Sequence, residues 1–259
     1  MEKEVIIKFF FNEGNWGDKI SPLLVEMISG VKPELVPMKE RFIGNKNQHV
    51  YLTVGSVLKF ADSNTIVWGA GFIRQEDSLS EKPYKICAVR GPISRQKLLD
   101  QGIECPEVYG DPVLLLPRYY TPEELVRKKI GIIPHYVDQD HPWLKNFINN
   151  NDVRIIDIKG DYHNVVNEIC SCDLIISSSL HGLIVPDAYG IPSVWVKFSD
   201  KIWGGNFKFL DYFASVGRKE IEPLQISEHT SLTEVLGHVE PFEFKLDLNA
   251  LYESCPFKK

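Results

Sequence analysis

A chain of 259 residues, 44% hydrophobic and 25% charged, is globular and long enough for one large or two modest cores. Its net charge of -6 and pI near 5.7 exclude a general nucleic-acid binder, which needs clustered Lys and Arg, so any phosphate it holds is held locally. No run approaches the roughly 18 apolar residues of a membrane span, and the expectation is a cytoplasmic protein, at most peripheral at the inner face of a membrane.

In chain order, "MEKEVIIKFFFN" has an apolar run broken by Lys8 and no small-residue cleavage site, so it reads as a first strand, Val5 to Phe11, rather than a signal peptide. Between that strand and a helix around Ser21 to Ile28, Asn12, Gly14, Asn15, Gly17 and Asp18 allow a ligand to approach the backbone closely. Strands follow at Val50 to Val54, Thr65 to Trp68 and Ile86 to Val89, then a helix from Pro92 to Gln101. Strand ends deliver Gly69 and Gly71 in one case and Arg90-Gly91 in another, with Pro92 opening the helix. An Arg in that place holds a carboxylate or phosphate through two parallel hydrogen bonds, or else forms an ion pair; Arg95, further along, belongs to a solvated face.

Pro112, Pro117 and Pro122 then break the pattern, which places a domain boundary near residue 120. The second half repeats the alternation: strand Ile130 to Pro134, a helix around His141 to Asn149, strand Arg154 to Ile158, a helix from Tyr162 to Cys170, and strands Asp173 to Ile176 and Ser193 to Lys197. Alternating βα units imply two α/β, Rossmann-like domains with mostly parallel sheets, spanning 1–120 and 121–245, and a ligand cleft between them. The last segment, 246–259, contains "LDLNALYESC", expected as a helix packing back on the first domain. The five cysteines are scattered and odd in number, with no zinc spacing around Cys170 and Cys172; they read as buried apolar groups.

The most informative stretch is "LIISSSLHGLIVPDAYGIPSV", where a strand stops in Ser177-Ser178-Ser179-Leu180-His181-Gly182 and a helix begins. Free backbone N–H groups and the helix dipole favour an anion there, the Ser hydroxyls add donors, and His181 can carry charge or move a proton. The alternative is a capping serine, turn hydroxyls and a satisfied interior imidazole. Pro186 is expected to kink or end this helix early.

Together with "NWGD", "GSVL", "WGAG", "VRGPISRQKL", "GDPVLLLP", "IGIIPH" and "KFLDYFASVG", this stretch makes the chain resemble the polysaccharide pyruvyl transferase family, piece by piece and in order. The resemblance implies a two-domain fold like that of GT-B glycosyltransferases. It also implies phosphoenolpyruvate as donor, a glycan or lipid-linked oligosaccharide as acceptor, and a pyruvate ketal across two sugar hydroxyls as product. The family's donor-binding residues carry over onto Arg90, Leu180 and His181. Some members carry Arg where this chain has Ser179, so Lys197, Lys208 or Arg218 is expected to supply the missing contact.

Such a donor needs an anion site, here Ser177, Ser178, Ser179, Leu180 and Gly182 with Arg90 and Lys208, and a proton for the enol carbon, which His181 can deliver. Asn15, Asp18, Asp111 and His135 are the candidates on the acceptor side. No metal and no cofactor beyond the co-substrate are expected, because no His/Cys/carboxylate cluster has ligand spacing. The competing readings are a GT-B glycosyltransferase using a nucleotide sugar, and a sugar-binding protein without activity.

Overall fold

Short apolar strands followed by helices assemble, in a computed structural model, into two five-stranded sheets in which every recorded strand pairing is parallel. The structure describes residues 4–10, 16–43 and 48–259, except the side chain of Asp18. The first sheet holds β1 (Ile6–Phe9), β2 (Glu34–Pro37), β3 (Val50–Leu52), β4 (Thr65–Trp68) and β5 (Lys85–Ala88), in the order β2-β1-β3-β4-β5. The second holds β6 (Lys128–Ile133), β7 (Val153–Ile155), β8 (Cys172–Ser177), β9 (Ser193–Lys197) and β10 (Leu224–Gln225), ordered β10-β9-β8-β6-β7. The fold class is therefore α/β with two parallel sheets, consistent with two Rossmann-like units.

The helices are α1 (Trp16–Ser29), α2 (Pro92–Asp100), α3 (Tyr162–Cys170), α4 (His181–Tyr189), α5 (Phe207–Val216), α6 (Leu232–Leu236) and α7 (Leu248–Glu253). None is long and apolar enough to cross a membrane. Central strands are apolar on both faces because helices cover both: β4 is buried throughout, as are the last four residues of β6. One core cluster joins Trp16 and Ile20 of α1, Trp68 of β4, Leu183 of α4 and Phe213 of α5, so the two sheets share buried apolar surface. The C-terminal segment closes on the first sheet. Trp68 Nε1 donates to the Leu251 carbonyl at 3.0 Å, and Phe257 sets its ring edge-on to those of Tyr51 and Trp68.

Three local features differ from the sequence reading. The helix expected around His141 to Asn149 is a 3-10 turn, Pro142–Phe147, opened by His141 Nδ1 accepting from the Trp143 amide; its buried Trp143, Leu144 and Phe147 repeat at a spacing that also suits an α-helix. Pro186 does not end α4, which runs on to Tyr189, its adjoining Leu183, Ile184 and Val185 all fully buried. Strands β2 and β10 lie at sheet edges and are partly exposed, so neither carries the buried apolar run that marks the central strands.

Candidate active site

Parallel strands present their carboxyl ends, and the loops that follow them, on one edge of a sheet. Here those edges meet around a cavity of about 130 Å³. The first half contributes Phe10 after β1, Gly17 of α1, Gly55 to Val57 after β3, and Ile73 after β4. The second contributes His135 after β6, Ser179 to His181 after β8, and Lys208 of α5. Larger depressions exist, one of about 490 Å³ beside Tyr84 and Pro106 and one of about 290 Å³ between Ile191 and Phe242, but neither joins residues of both sheets' carboxyl edges.

The cavity wall carries one cation and two imidazoles. Lys208 is buried, has no carboxylate partner among the described residues, and keeps its ammonium 5.4 Å from the centroid of the Phe209 ring. Burial, reinforced by the Arg90 charge, lowers its pKa to about 8. Burial and then the Lys208 charge lower both His135 and His181 to about 3, so both rings are neutral near pH 7. The His181 ring sits directly on Gly17, where an added Cβ would lie 2.0 Å from Cε1, so only glycine admits the imidazole. Trp16 flanks it at 5.7 Å between ring centroids.

Behind His181 lies Asp111, fully buried, whose Oδ1 accepts from the Val113 amide and caps the 3-10 turn Pro112–Arg118. Its Oδ2 and His181 Nε2 are both enclosed without a hydrogen-bond partner, and they stand 3.8 Å apart. Burial raises Asp111 to about 6, against the opposing Val113 amide and Arg90. With the imidazole neutral this contact is not an ion pair; protonating His181 makes it one.

Several expected site residues are engaged inside the protein. Ser177 Oγ donates to the carbonyls of Ile133 and Ser179 and accepts from the Ser179 amide; Ser178 Oγ accepts from the His135 amide. These two serines lock the turn between β8 and α4, whereas the Ser179 hydroxyl lines the cavity and makes no hydrogen bond among the described residues. Leu180 also lines it. Gly182 is a packing position, since a Cβ there would meet Ser177 Oγ at 2.3 Å.

Arg90 is fully buried and all its nitrogens have internal partners. Nε and Nη2 donate to Asp211 at 3.1 and 2.9 Å, Nη2 also to the Phe72 carbonyl, and Nη1 to Ser56 Oγ. Asp211 in turn accepts from the Ser94 amide and hydroxyl at 2.7 Å each, so a carboxylate of α5 caps α2. The guanidinium therefore reaches the cavity through Ser56, which lines it. Asp111 stands behind the imidazole and is not part of the lining, while His135 is. Asn15 and the Asp18 side chain lie outside the described residues.

Of the three basic residues considered as a replacement for Arg at position 179, Lys208 alone lines the cavity. Lys197 pairs with Asp200, and Arg218 is buried against Asp187, Ser193 and Glu220. Sequence reasoning did not single out Gly55, Ser56 or Asp211. The first two lie in "GSVL" and the third in "KFLDYFASVG", where an apolar run interrupted by a single carboxylate was the available signal.

Residues 41–200 match the family model described as polysaccharide pyruvyl transferase. The uncharacterized protein L143 of Acanthamoeba polyphaga mimivirus is 31% identical over 224 residues, covering 83% of this chain and 75% of that protein. The succinoglycan biosynthesis protein ExoV of Rhizobium meliloti (strain 1021) is 25% identical over 214 residues, 79% of this chain and 62% of ExoV. A model match over more than half the chain, through β3 to β9 and the lining residues Gly55 to Val57, Ile73, His135 and Ser179 to His181, places this protein in the polysaccharide pyruvyl transferase family.

Proposed function

We propose that this protein moves the pyruvyl group of phosphoenolpyruvate onto two hydroxyls of a sugar, in a bacterial-type surface polysaccharide or its lipid-linked precursor, and closes a cyclic ketal. The observation that carries the reading is Lys208, a buried ammonium that has no carboxylate partner among the described residues and stands beside Ser179, His181 and the start of α4. A cation held out of water without a counter-ion is costly, and an incoming anion offsets that cost. Phosphoenolpyruvate offers a phosphate and a carboxylate. Lys208, the Ser179 hydroxyl and the free amides of the first α4 turn are suited to both. In this reading the two sheets are domains of a GT-B-like fold that divide near residue 120, with the donor held mainly by the second.

His181 is the proton donor. The first sugar hydroxyl adds to C2 as His181 gives its proton to C3, and the imidazole takes up that hydroxyl's proton in exchange; the C2–O bond to phosphate then breaks as the second hydroxyl closes the ring, and the second hydroxyl's proton leaves with the phosphate. Burial and the nearby Lys208 and Arg90 charges keep the imidazole neutral. An anionic donor favours its charged form, and Asp111 at 3.8 Å stabilises the imidazolium. Arg90 is a positioning residue that fixes the Ser56 hydroxyl, and the neutral His135 ring is placed to meet an acceptor hydroxyl. The direct test is product analysis: oligosaccharide that gains pyruvate with loss of water, in step with phosphate released from phosphoenolpyruvate. Phosphate release without any ketal would overturn the reading.

Donor affinity should depend on pH through Lys208. Because its pKa is lowered to about 8 and the bound anion needs the cation, binding is full below pH 8 and weakens above it. Titrations across pH 6.5 to 9.5, roughly ±1.5 units about that value, should show the dissociation constant rising about tenfold per unit on the alkaline side. Lys208→Met should bind far more weakly and lose the dependence. An unchanged affinity in that variant would remove Lys208 from the site.

Among the described residues no group of three His, Cys or carboxylate side chains could hold a metal ion. Activity is therefore expected to survive excess EDTA; magnesium-reversible loss would contradict this.

A further inference from the structure

Four of the five tryptophans are buried: Trp16, Trp68, Trp143 and Trp195 are at most 4% exposed. Trp203 is 61% exposed. Two tethers set its position. Along the chain it lies five residues before Lys208, in the turn that leads into α5. Across the fold, the Arg74 guanidinium covers one face of its indole at 4.7 Å from the ring centroid, and Arg74 follows Ile73, which lines the cavity.

The turn itself is pressed against the same residue. Gly204 has φ +92°, and a Cβ there would lie 2.6 Å from both the Ile73 carbonyl oxygen and its Cγ1, so no larger residue fits. Arg74 is fixed in turn by Asp77, and its Nε is enclosed without a hydrogen-bond partner. A large, mostly exposed aromatic ring thus stands beside residues of the cavity wall, one face backed by a cation.

A single exposed apolar side chain is ordinary on a protein surface; what sets Trp203 apart is the guanidinium on its face and its place between Ile73 and Lys208, two residues of the cavity wall. A pyranose ring has an apolar C–H face that matches an indole. We infer that Trp203, backed by Arg74, is the platform on which the acceptor's pyranose ring stacks, holding two of its hydroxyls over the cavity that takes the donor. This rests on the pyruvyl-transfer reading and adds the acceptor's place to it. Trp203 is a specificity-determining contact, and Arg74 is a positioning residue that fixes the indole from its opposite face.

The same exposure supplies the assay. Acrylamide should quench almost only Trp203, because the other four indoles are enclosed. Methyl pyranosides of gluco, galacto and manno configuration are titrated as probes, each with and without saturating phosphoenolpyruvate. At least one should protect the fluorescence from quenching, and phosphoenolpyruvate alone should not. Trp203→Ala should abolish most of the quenchable signal and, by calorimetry, weaken the protecting sugar about tenfold, with donor affinity unchanged and Trp203→Phe intermediate.

If no pyranoside protects Trp203 while phosphoenolpyruvate binds normally, the platform is wrong and the transferase reading stands. If a pyranoside protects but phosphoenolpyruvate does not bind, the platform stands and the transferase reading fails. A Trp203→Ala protein that binds the sugar as tightly as the parent overturns the inference.

Discussion

His181→Ala is expected to lower turnover by about two orders of magnitude or more, the range of a lost general acid, while the protein stays folded. The ring is buried against Trp16 and Gly17, and among the described residues it makes no hydrogen bond, so its removal chiefly costs packing. Phosphoenolpyruvate should still bind, because Lys208, Ser179 and the start of α4 remain. Asp111→Asn should shift the pH dependence of turnover more than donor affinity, since it removes the charge that stabilises the imidazolium 3.8 Å away. A His181→Ala protein with normal turnover would make the imidazole a structural group and the serine turn an elaborate cap.

Arg90→Ala is expected to act on the fold. It strips one partner from an ion pair whose side chains are both fully enclosed, and leaves the Asp211 carboxylate with only the Ser94 donors. Removing one member of a buried pair costs about 3–5 kcal/mol, which for a chain of this size lowers the melting temperature by roughly 10 °C. Arg90→Lys should not rescue it, because one ammonium cannot reach Asp211, Ser56 and the Phe72 carbonyl together. Thermal melts of Arg90→Ala and Asp211→Ala should therefore look alike. An Arg90→Ala protein of parental stability with weakened donor binding would instead return Arg90 to the role of direct ligand that its place at a strand end suggests.

Arg90 also shows where sequence reading stops. Its position at the carboxyl end of a strand is visible because βα alternation forces every such end onto one sheet edge; the same logic brings Ser179, His181 and His135 to one cavity. What the side chain does there depends on Asp211, 121 residues later on a helix of the other half, and no local pattern encodes that pairing. Ser177 and Ser178 illustrate the same limit: hydroxyls at a helix start suit an anion, yet backbone partners from β6 and its loop consume both. Lys208 could not be chosen over Lys197 or Arg218 from the chain alone, because the choice turns on which of them lacks an acidic neighbour in space.

Elements failed for equally physical reasons. Trp143, Leu144 and Phe147 carry a helical spacing into a 3-10 turn, because Pro142 and the His141 cap fix its start and six residues are too few to separate the two periods. The edge strands β2 and β10 are set by their neighbours' register rather than by any pattern of their own.

The most direct test of the account is calorimetry of the purified protein with phosphoenolpyruvate and, separately, with a nucleotide sugar, repeated on Lys208→Met. The account predicts that phosphoenolpyruvate binds at one site per chain, that the nucleotide sugar does not, and that Lys208→Met loses the donor while remaining folded. Binding of the nucleotide sugar with no heat from phosphoenolpyruvate would contradict it and make the same helix terminus a diphosphate site.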